Sequence, residues 1–199
     1  ADRKNKELAI EYSATPSGLR RCFMLRLYIE KDTLKDILTK LPRDLRKSQY
    51  ADAIKAHVAT EQIDAGMKFV PMDVVDADGG KFAWNEHRNK NILLIYGGLG
   101  CMGRSGRREL AALRKEYAED NLAIVVYYSV SSLEELKELR NQYSDDYIFI
   151  SELMPDYSPF KIKYGVQATP TCFVIDKSGT VVLKTVGFDA EQIKEKIDN

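Results

Sequence analysis

The period of the apolar positions changes near residue 66 of this 199-residue chain. Before that point they recur every three or four residues, the spacing of one helix face. Lys4–Ser13 and Ser17–Lys31 are predicted helices; in the second, Leu19, Cys22, Phe23, Leu27 and Ile29 supply the stripe. Pro16 stands where a helix start tolerates proline. Asp32–Leu41 follows, with Leu34, Ile37, Leu38 and Leu41 on one face and Pro42 as its stop. Ser48 reads as the N-cap of a helix to about Gln62 that carries Tyr50, Ile54 and Val58 at four-residue spacing. Residues 1–63 form an all-α segment with few residues for a core of its own, and it is expected to pack on its neighbour.

After Ala65-Gly66 the pattern becomes that of strands alternating with helices. Phe69–Val75 and Lys81–Trp84 flank Asp76-Ala77-Asp78-Gly79-Gly80, a hairpin signal. The apolar run Ile92–Tyr96 reads as a buried strand, and a helix is predicted from about Gly103 to Ala118. A strongly β run, Leu122–Ser129, precedes helix Leu133–Tyr143, which opens with Ser131/Ser132 as cap and Glu134 and Glu135 in its first turn. Tyr147–Ile150 is a short strand and Tyr157–Tyr164 a short helix. Thr171–Asp176 and Thr180–Val186 form a hairpin across Lys177-Ser178-Gly179, and Ala190–Ile197 closes the chain as a helix. This order implies an α/β domain over residues 66–199, a mixed sheet with helices on both faces.

Composition narrows the function classes. The chain is 44% hydrophobic and 30% charged, with 30 acids against 30 bases. Nothing in that balance points to a nucleic-acid partner. No apolar run reaches the roughly 18–20 residues that span a membrane, and the polar N-terminus carries no secretory signal. The three cysteines, Cys22, Cys101 and Cys172, are widely separated and odd in number, so they make neither a disulfide framework nor a zinc-ligand spacing. No phosphate-binding loop, dinucleotide fingerprint or metal motif is present, so no cofactor is expected.

Cys101 is the residue with chemistry to offer. It follows the Ile92–Tyr96 strand and the glycines Gly97, Gly98 and Gly100, at the mouth of the predicted helix. Unpaired N–H groups and the partial positive charge of a helix start both favour a thiolate. Cys101, Arg104 and Arg108 fall at i, i+3 and i+7, which is one helix face, with Arg107 on the flank. Arg104 would then be the charge partner of a single reactive thiol. The opposing reading is a silent cysteine, with the arginines solvating an exposed helix start. His57 and His87 have no visible link to a cysteine, and Trp84 and the tyrosines read as packing.

Three strings give this region a familiar look. They are the strand–turn–cysteine–helix of Ile92–Tyr117, the segment Tyr164-Gly165-Val166-Gln167-Ala168-Thr169-Pro170-Thr171, and Phe173–Gly179 with Thr180–Phe188 after it. Residues 66–199 thereby resemble the thioredoxin fold. More closely they resemble the TlpA/ResA-like thiol-disulfide oxidoreductases, which overlap the AhpC/TSA grouping. The helical segment is similar to one that precedes the thioredoxin domain in some Bacteroidetes relatives.

The resemblance implies several things. Pro170 would be a cis-proline facing Cys101. Thr169, Pro170, Gly100 and Met102 would meet an extended peptide or protein substrate carrying thiols or disulfides. The location would be extracytoplasmic, periplasmic or envelope-associated. The chain departs from the family where the chemistry lies. The W-C-x-x-C motif reads Gly100-Cys101-Met102-Gly103-Arg104, so the resolving thiol is replaced by Arg104, which cannot attack sulfur. Ile95 stands where thioredoxins proper carry a buried acid. Gly98 stands where a peroxiredoxin carries Thr or Ser, which makes a one-cysteine peroxidase the weaker enzymatic reading. Two functions stay open. One is a thiol-disulfide oxidoreductase with a degenerate, single-cysteine centre working through mixed disulfides or sulfenic acid, with Cys172 as a possible resolving thiol. The other is a redox-inactive binding module that holds a peptide or protein partner beside the Pro170 loop.

Overall fold

In a computed structural model, which describes residues 2–143, 146–154 and 157–198, the chain forms two compact units. The first comprises Ala1–Gln62 with Pro159–Gln167, the second Ile63–Ser158 with Ala168–Asn199.

The first unit holds α1 (Asp2–Glu11), α2 (Pro16–Met24), α3 (Lys31–Lys40), α4 (Gln49–Ala59) and the short α7 (Pro159–Lys163). Its helix starts follow local rules. The Thr15 hydroxyl accepts the Gly18 N–H ahead of Pro16, and Ser48 accepts the Ala51 N–H. The helix expected over Ser17–Lys31 ends early, at Met24. There Arg26 turns inward, 1% exposed, and its guanidinium donates to the carbonyls of Phe23, Lys161 and Val166. Those bonds tie the 159–167 segment to the N-terminal helices across some 135–140 residues of sequence.

The second unit is built on six strands: β1 (Val75–Asp76), β2 (Asn91–Tyr96), β3 (Leu122–Tyr127), β4 (Ile148–Ser151), β5 (Thr171–Ile175) and β6 (Val181–Val186). Their spatial order is β1-β4-β3-β2-β5-β6. β2 runs parallel to β3 and antiparallel to β5, β3 runs parallel to β4, and the β5–β6 hairpin and β1 are antiparallel additions. The crossover helices are α5 (Gly103–Glu116) and α6 (Leu133–Asn141), and α8 (Ala190–Asp198) closes the chain. β2, β3 and β5 are buried at every residue, as strands covered on both faces must be. Alternation sends Leu93, Ile95, Ile124, Val126, Cys172 and Val174 to one face, where Leu110 and Leu113 of α5, Leu136 of α6 and Ile193 of α8 complete a core.

The hairpin expected over Phe69–Trp84 forms only in part. The turn is present, with Asp76 Oδ1 accepting the N–H groups of Asp78 and Gly80. Its arms are not strands. Only Val75–Asp76 pairs into the sheet, against β4, and Trp84 lies in a 3-10 turn. Pro71 has no N–H for a ladder, which stops the first arm.

Candidate active site

β2 carries the chain to the end of the sheet, and the next residues make one tight turn. Gly97 and Gly98 have φ of 97° and 77°, in the left-handed region open to glycine. Their missing side chains leave room for two neighbours. A Cβ at Gly97 would lie 2.3 Å from Thr169 Cγ2, and one at Gly98 would lie 2.0 Å from Tyr128 Cε1. The Tyr128 hydroxyl accepts the N–H of buried Leu99 at 3.0 Å. The space that a side chain at position 98 would take is therefore filled by the Tyr128 ring. Burial, the largest influence, pushes the Tyr128 phenol up from its ordinary value, so it stays protonated across neutral pH.

Cys101 is exposed and free, in a 3-10 turn over Gly100–Met102. A Cβ at Gly100 would meet nothing within 4 Å. The space beside Gly100 is thus open. The Thr169 hydroxyl donates to Cys101 Sγ at 3.5 Å. Thr169 is exposed, Pro170 is buried, and the peptide bond between them is cis. The Pro170 carbonyl accepts the Gly187 N–H at 2.8 Å, which fixes this loop to the end of β6.

The arginines do not line up as their spacing suggests. Gly103 has φ 67° and ψ −174°, so the chain leaves helical geometry between Cys101 and Arg104. Cys101 lies on the 3-10 turn and Arg104 on the first turn of α5. Cys101, Arg104 and Arg108 therefore do not form one continuous helix face, since the i, i+3, i+7 rule holds only along an unbroken helix. Arg104 is exposed and makes no hydrogen bond or ion pair among the described residues. The guanidinium that reaches the turn belongs to Arg107, which donates to the Leu99 carbonyl at 3.4 Å. Met102 is half-buried and packs on the core, with its Cβ 3.0 Å from where a Gly106 Cβ would stand.

The other cysteines are interior. Cys172 is 0% exposed and pairs with Ile95 across β2 and β5, and burial pushes its thiol up to about 12. Cys22 is equally buried, donates to the Ala9 carbonyl at 3.1 Å, and is pushed up to about 11 by burial. Structure thus brings together Cys101, Thr169, Pro170, Gly97 and Tyr128. Of these, Tyr128 is the one that sequence spacing misses: a tyrosine at a strand end reads as packing. The signal available was the Gly97-Gly98 pair, which says that something large lies against the turn. No cluster of three His, Cys, Asp or Glu able to hold a metal occurs among the described residues. No helix among them is long and apolar enough to cross a membrane.

No family model matches the chain, and no curated protein does. Solved structures do. One is the C-terminal domain of a protein assigned as a thiol-disulfide oxidoreductase from Bacteroides thetaiotaomicron, at 16% identity and TM-score 0.58 over 68% of this chain and 95% of that one. A thiol-disulfide oxidoreductase from Bacteroides fragilis matches at 18% identity and TM-score 0.54, over 65% of this chain and 97% of its own. A thiol peroxidase from Chromobacterium violaceum matches at 16% identity and TM-score 0.55, over 70% and 88%. At such identities the likeness is one of fold: the chain has a thioredoxin-like fold of the kind found in thiol-disulfide oxidoreductases, preceded by helices α1–α4.

Proposed function

We propose that Cys101 is the centre of a single-cysteine thiol-disulfide exchange site. The observation that carries this is the exposed sulfur on a thioredoxin-type turn, with the Thr169 hydroxyl donating to it from the loop that faces it. In the forward step the Cys101 thiolate attacks one sulfur of a substrate disulfide. A mixed disulfide forms, the substrate S–S bond breaks, and the displaced sulfur leaves as a thiolate. With Arg104 in place of the second cysteine, release needs a thiol from outside the motif. That thiol, as its thiolate, attacks the substrate sulfur of the mixed disulfide; Cys101 Sγ leaves as a thiolate, and the substrate sulfur departs in a new disulfide with the incoming thiol. Arg104, exposed on the first turn of α5, is suited to meet an acidic group of the incoming partner rather than to touch the sulfur. Thr169, Pro170 and Gly100 would frame the open side through which a protein or peptide enters. The same resemblance supports an extracytoplasmic location for this reading.

The fully buried Cys172 favours a second reading, a binding module that holds a partner in this groove without completing a redox cycle. With its thiol raised to about 12 by burial, Cys172 cannot readily supply the resolving attack. Incubation with oxidised glutathione separates the two. Exchange predicts one glutathione per chain, mapped by mass to Cys101 and absent in Cys101→Ser. A chain that stays unmodified while Cys101 remains exposed supports the binding module.

A further inference from the structure

A pocket of about 400 Å3 lies at the end of the sheet away from Cys101, lined by residues of the second unit. Ile92 and Ile175, cross-strand partners of β2 and β5, are part of its lining. Phe69 and Trp84 add aromatic surface, their ring centroids 4.9 Å apart. Ile92 precedes Tyr96 by four residues, about 13 Å at the rise of an extended strand, and the cysteine turn lies beyond Tyr96. The two places are distinct.

Charge around this pocket is one-sided. Lys68, Arg88, Lys90 and Lys177 line it, against a single carboxylate, Asp176. That carboxylate is already engaged, its Oδ1 accepting from the Ser178 and Thr180 N–H groups and the Ser178 hydroxyl. Lys68 donates to the Ser178 carbonyl and the Thr180 hydroxyl, and Lys90 to the Glu119 carbonyl, all neutral acceptors. Arg88 and Lys177 are exposed and have no carboxylate partner among the described residues. The whole chain has a formal net charge of zero, so this excess is local. His87 adds ring surface rather than charge: it stacks on Phe82 at 5.2 Å, and burial followed by Lys90 holds its pKa below the usual value. A concave site of this size, with apolar and aromatic walls and a few convergent polar groups, is the usual form of a small-molecule site. The walls select a flat apolar body, and the excess of cations over the one carboxylate, which Lys68 faces, selects an acid.

We propose that this pocket binds a small organic anion, its ring against Phe69 and Trp84 and its acidic group among Lys68, Arg88 and Lys177. Trp84 is the single tryptophan, so its emission reports on the site directly. The full chain would be titrated at constant ionic strength with phenyl phosphate, with inorganic phosphate and with benzyl alcohol. Phenyl phosphate is expected to change Trp84 emission saturably, with a Kd on the order of 1 mM for so small a probe. Each half-probe should bind at least about tenfold more weakly, and the Arg88→Glu/Lys177→Glu variant should lose about as much. Both positions are exposed, and an unchanged urea midpoint confirms the variant's fold. The rate of disulfide formation at Cys101 should not respond to the probe, which keeps this site separate from the exchange site. No saturable change overturns the proposal. So does equal binding of inorganic phosphate, which would indicate adventitious charge pairing, and so does unchanged affinity after the charge reversal.

Discussion

Replacing Tyr128 by phenylalanine removes one oxygen and keeps the ring that fills the space beside Gly98. That oxygen accepts the Leu99 N–H at 3.0 Å, and Leu99 is 1% exposed, so water has little access to take its place. A buried donor left without a partner costs about 1–3 kcal/mol. The phenol also hydrogen-bonds Tyr143, which is only half-buried and can turn to solvent, so that loss adds little. For a chain of this length about 1 kcal/mol corresponds to roughly 2–4 °C in Tm, so a fall of about 2–12 °C is expected. Trp84 lies in the same unit, and its emission follows urea unfolding there. The midpoint should fall with an unchanged slope, since the surface exposed on unfolding is the same. Leu99 stands two residues before Cys101, so the variant should also alter the thiol's rate toward disulfides under fully native conditions. A midpoint within about 0.3 kcal/mol of the parent, below the usual worth of one hydrogen bond, would refute the role given to this hydroxyl.

Gly98→Ala should destabilise by 2 kcal/mol or more, about 1–2 for a left-handed backbone and the rest for overlap with the Tyr128 ring. Gly100→Trp, into open space, should stay within about 0.5 kcal/mol, and urea midpoints compare the two. Native alkylation followed by peptide mapping should mark Cys101 and spare Cys22 and Cys172, and mild oxidation should give no Cys101–Cys172 crosslink; labelling of Cys172 at the same rate would contradict its placement in the core. His57 is 2% exposed, and burial first, then Arg26 and Lys31, lower its pKa from 6.5 to about 4. The unfolded chain therefore binds the extra proton first. Its contribution to stability is complete above about pH 6.5 and is lost as pH falls toward 4. Far-ultraviolet circular dichroism across that range should show His57→Leu with a flatter dependence than the parent.

Much of the fold was legible from periodicity. The near-continuous apolar runs at β2, β3 and β5 mark strands buried on both faces, and Ser48 and Ser132 cap the helices they were expected to cap. Illegible parts depended on long-range geometry. The early end of α2 comes from Arg26 reaching Lys161 and Val166, contacts that no local window contains. The Phe69–Val75 arm has apolar residues in plenty but only its last residue enters a strand ladder, because Pro71 interrupts it. At the site, Cys101 was evident from its place after a strand and glycines. Its relation to Arg104 was not, since one positive φ at Gly103 cancels the helical spacing. Tyr128 was invisible for the opposite reason: it lies 29 residues from Leu99, and only the fold brings its hydroxyl there.

The central claim is that the Cys101 turn makes a thiol fit for exchange. Its most direct test is the second-order rate of mixed-disulfide formation between the native chain and 5,5′-dithiobis(2-nitrobenzoate) at pH 7, set beside free glutathione and the Thr169→Val variant. The account predicts a Cys101 rate at least about tenfold above glutathione. It also predicts a several-fold loss when the Thr169 hydroxyl is removed. A rate equal to or below that of glutathione, unchanged in Thr169→Val, would contradict it.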